Sequence, residues 1–84
     1  MKASGVSGQL KHGYRVVARL SAWSLVDGRI EATASDVNAF ALAHGGPFDL
    51  ALDVGSHQWI WRDVAPLVDG ARFATTVIGK PEKR

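Results

Sequence analysis

From Tyr14 to Ala22 the chain alternates. Val16, Ala18, Leu20 and Ala22 are apolar, and Arg15, Arg19 and Ser21 stand between them. A period of two marks a strand with one buried face. The alternation returns at Ile30, Ala32 and Ala34, and again at Phe48, Leu50, Leu52 and Val54. Turn residues separate these runs, "VDG" before Arg29 and "GS" before His57. The pattern restricts the chain to antiparallel hairpins. Its 84 residues make one domain with a modest core.

Register decides which side chains are inside. In the second hairpin, a Gly55-Ser56 turn pairs Val54 with His57, Leu52 with Trp59, Leu50 with Trp61 and Phe48 with Asp63. Trp59 and Trp61 then belong to the core, and Asp49 faces Arg62 on the other side. The first hairpin has two solutions. A two-residue Asp27-Gly28 turn pairs Leu25 with Ile30 and turns Trp23 inward. A three-residue turn from Val26 pairs Leu20 with Ala34 and places all the even-numbered apolar residues on one face. The second is preferred, and it leaves Trp23 outside with Arg19, Leu25 and Glu31.

Between the hairpins, "TASD" resembles a capping box with Thr33 or Ser35 as N-cap. "DVNAFALAH" follows and stops at Gly45-Gly46-Pro47. Its stripe of Val37, Phe40, Ala41 and His44 is expected on the sheet, with Leu42 outside. "ARFATTVIG" reads as a last strand after a connection through Pro66. The order strand, strand, helix, strand, strand, strand predicts a two-layer α+β fold with an antiparallel sheet of about five strands and one short helix. Residues 1 to 13, with three glycines and two serines, are expected to be flexible. Residues 14 to 79 form the globular domain, and residues 80 to 84 a basic tail. Both ends should be removable with little loss of stability.

Charge is divided unevenly. Residues 1 to 19 carry Lys2, Lys11, Arg15 and Arg19 and no acid, whereas residues 20 to 79 hold three arginines against seven acids. Lys80, Lys83 and Arg84 make the end basic again. An acidic body repels nucleic acid and suits a basic partner, while the ends could do the reverse.

Chemistry is sparse. His12, His44 and His57 lack the spacing of metal ligands, and cysteine is absent. The six aspartates fall largely at turns, a cap and strand edges. No phosphate-binding glycine motif occurs. The chain therefore reads as no enzyme, without cofactor or metal. Apolar runs are far shorter than the roughly 20 residues of a membrane span, and a cytoplasmic location is expected.

Over residues 14 to 63 the hairpin–helix–hairpin order is similar to several small phage-encoded proteins, including some anti-CRISPR inhibitors and virion accessory proteins. The likeness is one of topology and carries no shared motif. It implies an inhibitor or regulator that docks on a larger protein or nucleoprotein assembly. The residues expected to bind a partner are Trp23, Arg19, Leu25, Glu31 and Leu42. An alternative is a nucleic-acid-binding accessory protein that uses Lys11, Arg15, Arg19, Lys80, Lys83 and Arg84. A further alternative is a self-associating structural subunit, a homo-oligomer.

Overall fold

The computed structural model describes residues 1 to 84. In chain order the elements are β1 (Lys2–His12), β2 (Arg15–Val26), β3 (Arg29–Ser35), α1 (Ala39–His44), β4 (Phe48–Val54), β5 (His57–Val64), β6 (Leu67–Asp69), β7 (Arg72–Thr76) and β8 (Glu82–Lys83). All eight strands join one antiparallel sheet in the order β6-β7-β3-β2-β1-β4-β5-β8.

This overturns the two-layer α+β expectation. The sheet has eight strands, and the helix spans only six residues. The additional strands are β1, β6 and β8. Residues 2 to 12, expected to be flexible, form β1 at the middle of the sheet, between β2 and β4. Residues 14 to 63 do follow the order hairpin, helix, hairpin, but β1 stands between the two hairpins in the sheet.

The sheet must roll up. β5 and β6 lie six positions apart in the strand order. In a flat sheet that is about 29 Å at the usual interstrand spacing. Only Ala65 and Pro66 link Val64 to Leu67, and three residue steps span at most about 11 Å. The two ends of the sheet therefore meet. Thr75 Oγ1 donates to the Ala65 carbonyl at 3.0 Å, tying β7 to the end of β5. Extents of 32 × 22 × 22 Å fit a rolled sheet with its inner face as the core. Leu10, Leu20, Trp23, Leu25, Ile30, Phe48, Leu50, Leu52, Trp61 and Phe73 are all buried in that core.

Both candidate registers of the first hairpin occur, in different halves. Near the turn Val26 pairs with Arg29, Leu25 with Ile30 and Ser24 with Glu31. Asp27 and Gly28 have φ of 49° and 83°, as the two central residues of a type I′ turn require. Farther along, Ser21 pairs with Thr33 and Leu20 with Ala34. A bulge joins the halves at Ala22, whose φ is 49°. One extra residue reverses the alternation. Leu20 and Trp23 can then share the inner face. Trp23 is 1% exposed, and the expectation that it lies outside is wrong.

Trp23 sits directly on β1. Gly5 is its ladder partner, and a Cβ at Gly5 would fall 2.5 Å from the indole. The indole Nε1 donates to the Ser7 carbonyl at 2.9 Å. The N-terminal half of β1 is thus fixed by an aromatic ring that needs a glycine beneath it.

The second hairpin keeps the expected pairs from Val54–His57 to Leu50–Trp61. A bulge with Asp63 at φ 55° then sets Phe48 opposite Val64 instead of Asp63. In α1 the cap is Asn38, not Thr33 or Ser35, because β3 continues through Ser35. Asn38 Oδ1 accepts from Ala41 N–H at 3.0 Å, and Asn38 N–H donates to the Val17 carbonyl at 2.7 Å. This late start rotates the expected face. Phe40 is exposed, whereas Leu42 packs against the core.

The end of the chain closes the roll. Val77 N–H donates to the Gly28 carbonyl at 2.7 Å, and Trp61 Nε1 donates to the Gly79 carbonyl at 3.3 Å. Pro81 is buried, and β8 pairs with β5.

Three outcomes follow from this packing. Trp23→Ala should cost about 3–5 kcal/mol, as removal of a buried aromatic does. Gly5→Ala should cost roughly 1–3 kcal/mol through overpacking. Urea denaturation of each variant measures both, and a shift below about 0.5 kcal/mol for either would contradict the seat described. Deleting residues 80 to 84 should lower the denaturation midpoint clearly, contrary to the expectation of a dispensable tail. An unchanged midpoint would mean that β8 does not stabilise the roll.

Candidate functional site

The outward side of β1, β4, β5 and β8 carries the most structured polar surface of the molecule. Alternation turns Asp49, Ala51 and Asp53 out from β4, and Gln58, Ile60 and Arg62 out from β5. Cross-strand pairing lines these up in rows. Lys11 faces Asp49, and Gln9 faces Ala51. Ala51 faces Ile60, and Ile60 faces Glu82.

Ala51 and Ile60 point outward yet are only 3% and 7% exposed. Long polar side chains lie over them and bond to one another. Ser7 Oγ donates to Asp53 Oδ2 at 2.6 Å, and Gln58 Nε2 donates to Asp53 Oδ1 at 2.9 Å. Arg62 Nη1 donates to Asp49 Oδ2 at 2.8 Å, and Arg62 Nη2 donates to Glu82 Oε2 at 3.2 Å. Arg84 Nε reaches the other Glu82 oxygen at 3.2 Å. A cleft of about 490 Å³ opens on this face, lined by Lys11, Tyr14, Asp49, Ile60, Arg62 and Arg84. Tyr14, at the tip of the β1–β2 hairpin, is fully exposed.

Two groups on this face depart from their ordinary ionisation. The Arg84 guanidinium, and then that of Arg62, hydrogen-bond the Glu82 carboxylate and hold its pKa below the usual glutamate range. The Asp49 carboxylate, and then that of Glu82, raise the pKa of Arg62 above its usual value. These pairs are exposed, so each stabilises little by itself; their effect is to fix the geometry of the face.

The structure disperses the expected partner-binding set. Trp23 and Leu25 are core residues, turned inward by the Ala22 bulge. Leu42 is half-buried against the core. Arg19 pairs with Asp36 at 3.5 Å, and Glu31 with Arg29 at 2.8 Å. Arg19 sits opposite Ser35 and Glu31 opposite Ser24, near the two ends of the β2–β3 ladder, so they form no common patch. Of the alternative basic set, Lys11 and Arg84 meet in the cleft. Lys83 instead stands over the Trp59 ring at 5.6 Å. Arg15 lies opposite His12, Arg19 is on the β2–β3 face, and Lys80 is exposed on the arm before β8.

The histidines are separate. His12 meets the Phe48 ring edge-on at 6.1 Å, His44 meets Phe40 at 4.3 Å, and His57 pairs with Val54. No group of three or more His, Asp or Glu side chains is placed to hold a metal ion. No helix is long and apolar enough to cross a membrane.

The Asp49–Arg62 pair was legible in the sequence, whereas Tyr14 and the place of Lys11 were missed. The Gly13-Tyr14 turn lies between residues that could pair, but "ASGVSGQ" does not alternate and hides the strand before it. No protein-family model, curated protein or solved structure matches this chain.

The lowered pKa of Glu82 sets a direction for pH. A carboxylate held below its unfolded value contributes stability that is present above the unfolded pKa and lost as pH falls through the folded one. The β8–β5 contact should therefore loosen in acid, below the ordinary glutamate range. Hydrogen exchange at the amides of Gln58 and Arg84 should speed up relative to the β2–β3 ladder. Glu82→Gln should remove that dependence; an unaltered acid response in this variant would assign it to another group.

Proposed function

We propose that the protein is a non-catalytic interaction module that docks on a larger protein through the cleft on the outward face of β1, β4 and β5. The observation that carries this reading is Tyr14, a fully exposed aromatic beside a cleft with arginine walls. Tyrosine and arginine are enriched among residues that dominate binding energy, and a pre-ordered surface loses less freedom on association. Cations and carboxylates alternate here, which suits a polar partner of mixed charge and gives specificity. Such a module acts by occupying a surface of its partner, as an inhibitor or regulator does.

Nucleic acid is a second reading, and one observation favours it. Lys11 and Arg84 both line the cleft, and no ion pair engages Lys11. Against it stand Asp49, Asp53 and Glu82 on the same face, which oppose a phosphate backbone.

Affinity capture with the tagged protein from its native cells separates the readings. Tyr14→Ala should abolish retention of a stoichiometric protein partner while the denaturation midpoint stays within about 0.5 kcal/mol of the parent. Retention of DNA or RNA that falls steeply with salt, and depends on Lys11 but not on Tyr14, would instead establish the second reading. A captured protein held equally well by the parent and by Tyr14→Ala would place the interface elsewhere.

A further inference from the structure

We infer that the outer edge of β5 is a strand-receiving site, and that residues 80 to 84 fill it from a second copy of this chain as well as from the same chain. The result is an exchanged dimer. This rests on the closing segment alone and not on the Tyr14 cleft.

The receiving side is well defined. The Gln58 peptide exchanges two hydrogen bonds with Arg84, N–H to carbonyl in each direction, both at 2.8 Å. Trp59 lies opposite Lys83, and its ring takes the Lys83 ammonium at 5.6 Å. Ile60 lies opposite Glu82, and Arg62 bonds the Glu82 carboxylate at 3.2 Å. The inserted strand thus presents a buried proline, a carboxylate, a cation and a paired peptide, in that order.

The link to that strand is loose. Residues 78 to 80 make no backbone–backbone hydrogen bond. Their one side-chain tether is Trp61 Nε1 on the Gly79 carbonyl, at 3.3 Å. Gly79 has φ 77° and turns the arm back toward its own β5. Straightening that turn sends the arm outward instead. Every contact of the inserted strand with β5 joins residues far apart in sequence, so a second copy supplies the same contacts unchanged. Ile78, on the same arm, is 93% exposed, so swinging the arm outward uncovers no apolar surface there.

A charge-reversal pair tests this with the full chain. Arg62→Glu sets two carboxylates against each other across the β5–β8 contact, and Glu82→Arg sets two guanidinium groups there. Each variant alone is therefore mismatched within a chain and between identical chains. Mixed, an exchanged heterodimer restores opposite charges at one of its two receiving sites, where the unaltered Arg62 of one chain meets the unaltered Glu82 of the other. At its second site the two introduced side chains meet, again with opposite charges. Native mass spectrometry of the equimolar mixture should show a heterodimer in at least tenfold excess over either homodimer. Two folded variants that stay monomeric when mixed would overturn the inference. If either variant fails to fold, the parent chain decides. Refolded at high concentration as a mixture of ¹⁴N- and ¹⁵N-labelled chains, it should yield a mixed-isotope dimer in which Gln58–Arg84 contacts join different labels. A refolded parent that is monomeric throughout, or a dimer whose Gln58–Arg84 contacts remain within one label, would overturn it equally.

Discussion

The indole of Trp23 on the backbone of Gly5 is the contact on which the sheet depends. It fastens β1 to β2 beyond the reach of β4, which pairs with β1 only from Gly8 to Lys11. The nitrogen of the ring is satisfied by the Ser7 carbonyl, so a large polar-edged side chain is buried with no unpaired atom. The bulge at Ala22 exists in service of this arrangement. Without it, the ring and Leu20 would lie on opposite faces, and the roll would lose either its centre or its lining. A left-handed alanine is strained by roughly 1–2 kcal/mol, which the burial of an indole more than offsets.

The legible part of the fold was the part whose side chains alternate. β2, β3, β4 and β5 each announce themselves by period two, and the second hairpin's register followed from agreement of both faces. β1 was illegible because glycine and serine carry no periodicity. Its position is dictated by Trp23 and by β4, which lie far from it in sequence. Gly8 illustrates the same point: a Cβ there would meet the Ala51 carbonyl at 2.8 Å, a constraint visible only once β1 and β4 are neighbours. The short β8 depends on closure of the roll and has no local signal, whereas β6 is a hairpin partner of β7 across a turn at Gly70 and was hidden by Pro66 just before it. In the first hairpin both candidate ladders are present, one on each side of the Ala22 bulge, which no local pattern announces.

The candidate site suffered from the same blindness. Asp49 and Arg62 could be paired from the sequence because a single hairpin holds them. Lys11, Tyr14 and Arg84 join them only through β1 and β8. The proposed exposed anchor, Trp23, failed for a definite reason: one extra residue in a strand transfers every side chain beyond it to the other face. What remains outside is a surface knit by carboxylates and guanidinium groups over a small apolar floor. Its shape is set by the rolled sheet beneath, and this gives the cleft a rigidity that a loop would lack.

The central place of β1 also shapes how the chain acquires its fold. β1, β2 and β3 follow one another as a meander and can pair as soon as they exist. The second edge of β1 must wait for β4, which arrives only after the helix and its glycine-rich exit. In that interval β1, rich in glycine and serine and with lysines only near its two ends, stands with one edge bare. Such an edge is a template for any extended chain nearby, and delayed long-range pairing prolongs its exposure. Docking of residues 49 to 52 covers that edge from Gly8 to Lys11 and no farther, so the first half of β1 keeps an open edge that the second half loses.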